Sequence, residues 1–172
     1  MIYIGIDQSI NSSAVCIIND DGTATYHIIT PKITKNQKKI QSDKIKYHTY
    51  SKSKSITDNI NSICDILKSI ISPIGQYKIA LENVAYNAKG SSLIDLCMLN
   101  GAIRRTFPDI QSYPPTSVKK FFTGNGHAPK DLMIYSWKKL ENLDLKNIKC
   151  DDIADSYAIA NMLKYSTNGL NI

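Results

Sequence analysis

Four acidic side chains stand where carboxylates could act together. Asp7 follows an apolar run at the start of the chain, Glu82 ends a second apolar run, and Asp152 and Asp155 lie three residues apart. Carboxylates that converge in a partly buried site repel one another unless cations neutralise them. Hard divalent ions such as Mg²⁺ take oxygen ligands, and a pair of them can activate water and stabilise a leaving oxygen in phosphodiester cleavage. The four acids therefore predict a metal-dependent hydrolytic site.

Each acid also has an ordinary structural explanation. Asp7 can open a turn with Ser9, Asp152 can favour the positive end of a helix, and Glu82 can stand exposed at a strand end. For any one residue the structural explanation is the better one. Only the set of four favours a shared site.

The elements that would position these acids follow from the apolar spacing. Three β-rich runs joined by short turns open the chain as an antiparallel meander, and two further strands follow helices and so lie parallel beside an earlier strand. The predicted strands are 2–8, 12–19, 23–30, 77–83 and 110–113. Asp7 and Glu82 then leave the sheet at one edge, where open α/β sheets bind ligands. Asp152 and Asp155 share one face of the last helix, predicted from Asp151 to Tyr165.

The predicted fold class is α/β, a mixed five-stranded sheet with three antiparallel strands followed by two parallel ones and helices on both faces. The length of 172 residues fits a single domain over 1–172. One helix, from Ser91 to Phe107, is apolar on nearly every face, whereas a surface helix shows one apolar stripe. That helix is expected to have a partner beyond its own sheet.

The charge is concentrated in one segment. The net charge is +6, and residues 32–54 hold eight lysines against the single acid Asp43, so the remainder is close to neutral. Such a segment suggests a polyanionic partner such as nucleic acid, and a solvated loop explains it equally well. We expect an irregular basic insertion at about 31–55. The longest apolar stretch, Ala14 to Ile18, is too short for a membrane span, and the four scattered cysteines lack metal or disulfide spacing, so we expect an intracellular, soluble protein.

Four motifs, in this order, resemble the RuvC-type Holliday junction resolvases of the ribonuclease H-like superfamily. They cover most of the chain outside the insertion and the tail. Each is weak alone, and the ordered set is fairly specific. The motifs are Gly5-Ile6-Asp7, Leu81-Glu82-Asn83-Val84 with Asn87-Ala88-Lys89, Val118-Lys119-Lys120 with Gly124-Asn125-Gly126, and Asp152 to Ala160.

The resemblance implies an endonuclease that nicks symmetric strands of four-way DNA junctions as a homodimer. It implies Asp7, Glu82, Asp152 and Asp155 as catalytic metal ligands for two Mg²⁺ ions per site, with Mn²⁺ as a substitute. Family lysines near the scissile phosphate correspond to Lys119 and Lys130. The full set expected to contact DNA is Lys119, Lys120, Lys130, Tyr86, Lys89, Lys38, Lys39, Lys44 and Lys46. The family dimerises through the helix after the catalytic glutamate, which here implicates Leu93, Leu96, Leu99, Asn100 and Ile103.

The sequence departs from the family pattern in three places. The family often has Asp-x-Gly after the first strand, whereas this chain has Asp7-Gln8-Ser9. Ala85 stands where bacterial members carry an aromatic residue, and Tyr86 follows it. The basic insertion is longer than the corresponding bacterial segment and more basic. These differences suggest a phage-type member acting on branched DNA generally, in the cytoplasm of a bacterium or an infected host cell. A helicase partner stays unknown.

Three other functions stay open. Gly5-Ile6-Asp7 with Ser9, Ser12 and Ser13 also resembles the phosphate loop of actin-like ATPases and sugar kinases, although that fold needs a second domain. A ribonuclease H-like nuclease acting on RNA–DNA hybrids would use the same acids. A non-catalytic branched-DNA-binding protein would not need to keep all four.

Overall fold

A computed structural model describes residues 1–40, 42–84, 90–141 and 150–169. Within these ranges the chain forms one mixed sheet with helices on both faces. The strands are β1 (Ile2–Asp7), β2 (Ser13–Ile18), β3 (Ala24–Thr30), β4 (Ile45–Thr49), β5 (Tyr77–Glu82) and β6 (Gln111–Tyr113). The helices are α1 (Lys35–Ile40), α2 (Ile56–Ile71), α3 (Ser91–Thr106), α4 (Pro115–Thr123), α5 (Lys130–Glu141) and α6 (Asp151–Thr167).

The sheet has the order β4-β3-β2-β1-β5-β6 in the described part of the chain. The first three strands are antiparallel neighbours, as predicted, and the hairpin between β2 and β3 turns at Gly22, whose φ of +85° suits glycine. β5 and β6 add in parallel beside β1. The crossover helices α2 and α3 cover one face of the sheet.

The expected five strands are corrected to six, because the segment predicted as irregular contains regular structure. β4 pairs in parallel with β3, from Tyr26 opposite Ile45 to Thr30 opposite Thr49, and α1 precedes it. Ile45 is buried while Lys46 is exposed. The basic segment therefore supplies an edge strand of the sheet.

Two apolar clusters hold the layers together, one on each face of the sheet. On one face Ile4 and Ile6 of β1 pack with Ile63 and Leu67 of α2 and with residues of α3. On the other face Tyr3 and Ala80 pack against α6, α5 and α4. Burial of aliphatic side chains on both faces is the main force that fixes the positions of the helices.

Helix ends agree with their sequence signals. The Ser55 side chain accepts a hydrogen bond from the Asp58 backbone amide at the start of α2, and Gly124 ends α4 with a φ of +79°. Among the described residues, no helix is long and apolar enough to cross a membrane.

Candidate active site

Asp7 and Glu82 end two neighbouring parallel strands. The pairing of β1 with β5 runs to Ile6 opposite Leu81, so the next residue on each strand is one of the two acids. Because side chains alternate along a strand, Asp7 shares a face with Gly5, and Glu82 shares one with Ala80. Both of those residues face α6. The two carboxylates therefore leave the sheet at the same edge and on the same face.

Gly5 allows α6 to lie directly on β1. A Cβ atom at this position would lie 2.2 Å from the Ser156 carbonyl oxygen and 2.4 Å from the Ala160 backbone nitrogen. No side chain larger than hydrogen fits there without moving the helix. This close approach brings the first turns of α6, which carry Asp152 and Asp155, to the edge where Asp7 stands.

The electrostatics of Asp7 show that the acids interact. Burial raises the pKa of the Asp7 carboxyl well above its ordinary value, and the negative charges of Asp155, Asp152 and Glu82 raise it further. The ammonium group of Lys130 acts in the opposite direction. The structure thus brings the four predicted acids into one field, and Asp7 stands at its centre.

The other three acids are perturbed in the same direction. Burial, with a contribution from Asp155, raises the pKa of Glu82 to about 7. Burial also raises the pKa of Asp155 to about 6, although Lys119 lowers it in part. The pKa of Asp152 is raised by burial, and a hydrogen bond from Ser12 opposes that shift. Near neutral pH the site therefore holds carboxylates that a bound cation would stabilise in their charged form.

Ser12 contacts one of the four acids, a role that the sequence did not predict. Its Oγ donates a hydrogen bond to Oδ2 of Asp152 from the turn between β1 and β2. The other hydroxyls in this turn bond to the turn itself: Ser13 Oγ donates to the Ser9 carbonyl at 2.6 Å, and Ser9 Oγ accepts from the Asn11 amide. These bonds disfavour the alternative in which the serines cradle a phosphate.

Gln8 ties the two acid-bearing strands together. Its Nε2 donates to the Glu82 carbonyl oxygen at 2.9 Å, just beyond the last residue pair of the strands. The bond therefore crosses from the residue after Asp7 to the backbone of Glu82 itself. It fixes the separation of the strand ends that carry Asp7 and Glu82.

Two of the predicted lysines flank the acids. Lys119 is half-buried on α4 and lowers the pKa values of Glu82 and Asp155. Lys130 begins α5, and its Nζ lies 2.5 Å from Oδ2 of Asp151, which raises the pKa of the lysine. Lys130 therefore pairs with the acid next to Asp152, while Lys120 is exposed on α4.

The lysines of the basic segment do not form one uniform surface. Lys38 on α1, Lys46 on β4 and Lys44 are all exposed. Lys44 differs in that its Nζ lies 3.8 Å from Oε2 of Glu141 at the end of α5. Lys39 lies in α1, but its side chain is outside the described part of the structure, as are Tyr86 and Lys89.

The expected dimer residues on α3 need correction. Leu99 and Ile103 are fully buried inside the chain, where they pack with α2 and the sheet, so they cannot contact a second copy. Leu93, Leu96 and Asn100 are half-buried, and Asn100 accepts a hydrogen bond from Arg104. The exposed apolar residues of this helix are Ile94 (62% exposed) and Met98 (42%). The all-round apolarity thus divides into a buried face and an exposed face.

The chemistry of the donor set fits a hard divalent cation, since all four candidate ligands are carboxylates. As they stand, no three His, Cys, Asp or Glu side chains within residues 1–40, 42–84, 90–141 and 150–169 are arranged to hold a metal ion. The acids act on one another electrostatically without enclosing a common point. Metal binding here would require the carboxylates to draw together.

Comparison with known proteins identifies relatives over most of the chain. The family model "Crossover junction endodeoxyribonuclease RuvC" matches residues 4–162. A curated protein of that name from Ehrlichia ruminantium (strain Gardel) is 30% identical over 93% of this chain and 94% of its own length. Another from a Wolbachia of Drosophila simulans is 34% identical over 60% of this chain, and the match spans 65% of that relative's length.

Solved structures agree in fold. The structure "T. thermophilus RuvC in complex with Holliday junction substrate" superimposes with a TM-score of 0.69 at 17% identity, covering 99% of this chain and 97% of that one. A second structure, "Thermus thermophilus RuvC structure", gives a TM-score of 0.67 at 17% identity and covers 99% of this chain and 98% of that one. At this identity the likeness shows the fold, which is the ribonuclease H-like α/β arrangement predicted from the sequence.

Proposed function

The chain belongs to the RuvC family of crossover junction endodeoxyribonucleases, and from this membership we propose that it is a metal-dependent endonuclease that resolves four-way DNA junctions. The observation that carries the proposal is that Asp7, Glu82, Asp152 and Asp155 come to one sheet edge, where burial raises the pKa of each carboxyl and the charges of neighbouring acids raise it further. A structural role explains each acid alone but not a cluster whose members destabilise one another.

The proposed cofactor is Mg²⁺, with two ions per site and Mn²⁺ as a substitute. Asp7, Glu82, Asp152 and Asp155 would hold them, and bound ions of this kind polarise a phosphate and lower the pKa of water. Ser12 orients the Asp152 carboxylate, and Gln8 holds the strand ends at a fixed separation. Lys119 supplies a positive charge beside Glu82 and Asp155, where it can hold a phosphate oxygen.

The proposed substrate is branched DNA, in keeping with the junction named for the Thermus relative. The exposed lysines on α1, β4 and α4 would contact its phosphates, which positions a duplex without reading its sequence. Residues 1–172 would act as one nuclease domain, with 31–55 as its basic insertion. The proposed location is the cytoplasm of a bacterial or phage-infected cell.

The proposed active form is a homodimer, because symmetric nicking of a four-way junction needs two sites related by a two-fold axis. Ile94 and Met98 on the exposed face of α3 would lie at its centre. Leu93, Leu96 and Asn100 would lie at the margin of that interface.

A panel of substrates tests the proposal. The purified protein is incubated with Mg²⁺ and a four-way junction, a fork, a linear duplex or an RNA–DNA hybrid of matched sequence, and the Asp7→Asn variant serves as control. We expect paired nicks in the junction that depend on Mg²⁺ and are absent in the variant. Preferred cleavage of the hybrid would favour the ribonuclease H-like alternative, and junction binding without cleavage would favour the non-catalytic one.

A further inference from the structure

A cleft of about 820 Å³ lies on the face of the sheet opposite the acids. Gln8 and Ile10, in the turn after β1, line one side, and Ser92 and Leu96 of α3 line another. Even-numbered residues of β1 face α2 and α3, whereas Asp7 faces α6. The cleft and the acids therefore share the same sheet edge but lie on its two faces, with Gln8 between them.

The walls of the cleft are held in place by hydrogen bonds. The buried Asn59 side chain accepts from the Ser53 amide at 2.8 Å and donates to the Ser53 carbonyl at 3.0 Å, which fixes the segment before α2. Tyr50 donates from its hydroxyl to the Ile10 carbonyl, and Lys52 donates to the Asn11 side chain at 3.2 Å. The cleft is therefore a preformed feature, as ligand sites usually are.

The lining combines two kinds of surface. Ile10, Ile56 and Leu96 are aliphatic, while Lys52 and Lys54 are exposed at the rim. An aliphatic wall can bury the apolar face of a nucleobase, and lysines at the rim suit its phosphate. The one acid in the lining, Asp95, leaves the rim with a net positive charge.

Gln8 supplies a second sign of a ligand. It is only 8% exposed, and its Oε1 has no hydrogen-bond partner among the described residues, although its Nε2 bonds to Glu82. A buried acceptor without a donor is unfavourable until some group provides one. Nucleobases that carry an exocyclic amino group have such a donor.

We propose that this cleft binds one unpaired nucleotide of the DNA strand whose phosphate lies at the acids. The base packs against Ile10, Ile56 and Leu96, and Lys52 and Lys54 hold its phosphate. Since Gln8 contacts Glu82 and lines the cleft, an occupied cleft fixes the strand end that carries Glu82. This inference rests on the proposed function and adds to it a specificity site in this chain.

The test combines a filled cleft with a missing base. Ser92 is exposed and lines the cleft, so Ser92→Trp fills the cleft without removing a core side chain. Ser69→Trp, at the far end of α2, is the matched control. Each is made in the Asp7→Asn background and measured without divalent ions on four-way junctions in which each nucleotide flanking the crossover in turn is abasic.

We expect the Asp7→Asn parent and the Ser69→Trp control to lose about tenfold in affinity when one particular base is absent. The Ser92→Trp variant should bind the intact junction about as weakly as the parent binds the abasic one, and should not respond to the missing base. Lys52→Gln with Lys54→Gln should weaken binding to both junctions equally. Circular dichroism and thermal melting confirm that each variant is folded.

Two results would overturn the proposal that the cleft binds a nucleotide and would leave the proposed nuclease function unaffected. One is a parent that binds every abasic junction as tightly as the intact one, and the other is a Ser92→Trp variant that stays sensitive to the missing base. A folded parent that binds no junction at all would overturn both nucleotide binding by the cleft and the proposed function.

Discussion

At the scale of single residues, the candidate site buries four carboxyl groups, and burial disfavours their charged form. Asp7 and Glu82 could be predicted from the sequence because each ends an apolar run, and the spacing of Asp152 and Asp155 placed them on one helical face. Ser12 and Gln8 could not, because their roles depend on which side chain lies opposite them after folding. A serine in a turn carries no sign of a partner 140 residues away.

The raised pKa values predict how stability depends on pH. A carboxyl whose pKa is higher in the folded state than in the unfolded state binds protons more readily when folded, so stability falls as pH rises between the two values. For Glu82 that interval runs from its ordinary value of 4.5 to about 7. We expect the metal-free protein to lose stability over this interval and Mg²⁺ to restore it above pH 7.

The Glu82→Gln variant isolates this effect. Because it removes a buried charge that Asp155 also repels, the variant should exceed the parent in unfolding free energy by roughly 1–3 kcal/mol at pH 8 without metal, and should match it at pH 4. Urea unfolding at the two pH values measures the difference. A variant no more stable than the parent at pH 8 would show that the charged Glu82 carboxylate does not destabilise the fold.

At the scale of elements, the order of strands and helices was largely predictable, and one strand was not. β4 is five residues long and includes the polar side chains of Lys46 and His48. Its alternation was therefore too short and too polar to stand out within a lysine-rich segment. The segment forms a strand because it pairs with β3, and its local sequence alone does not favour one. Gly5 belongs to this scale as well, since it matters only because α6 crosses β1 there.

Replacing Gly5 with alanine should separate α6 from β1. The added methyl group would overlap backbone atoms of Ser156 and Ala160, which cannot rotate away as a flexible side chain would. We expect a loss of about 1–3 kcal/mol in unfolding free energy and a weaker response of cleavage to Mg²⁺. Gly75→Ala, where a methyl group meets nothing within 4 Å, is the control and should change neither. Equal stability of the two variants would contradict the close packing.

The basic segment predicts the salt dependence of DNA binding. Lys38→Gln with Lys46→Gln should weaken binding uniformly across sequences and reduce the slope of log affinity against log salt by about one per lysine. Lys44 should contribute less because it lies near Glu141. Lys68→Gln with Lys78→Gln, at the opposite end of the sheet from the acids, is the control. A salt slope unchanged by the first pair would leave the segment as a solvated surface.

At the scale of the whole molecule, the sequence predicted layers on both faces of the sheet but could not assign the faces of α3. The helix is apolar all round, and periodicity alone does not say which side meets the sheet. The structure buries Leu99 and Ile103 and exposes Ile94 and Met98. An exposed apolar pair on one helix face is the feature that a second copy would cover.

The assignment of faces predicts two different outcomes for two lysine substitutions. Ile94→Lys should yield a folded monomer, because it changes only the exposed face. Leu99→Lys should unfold the protein, because it places a charge in the core. Sedimentation velocity and thermal melting separate the two results. A fully dimeric Ile94→Lys protein would remove this face from the interface.

The measurement that tests the central claim most directly is junction cleavage, with saturating protein and Mg²⁺, by Asp7→Asn, Glu82→Gln, Asp152→Asn and Asp155→Asn. We predict that each amide abolishes nicking while junction binding is kept or improved, since less negative charge eases the approach of phosphate. Asp65→Asn, on the exposed side of α2, should cut like the parent. Full activity in any one of the four amide variants would remove that acid from the site, and full activity in all four would contradict the account.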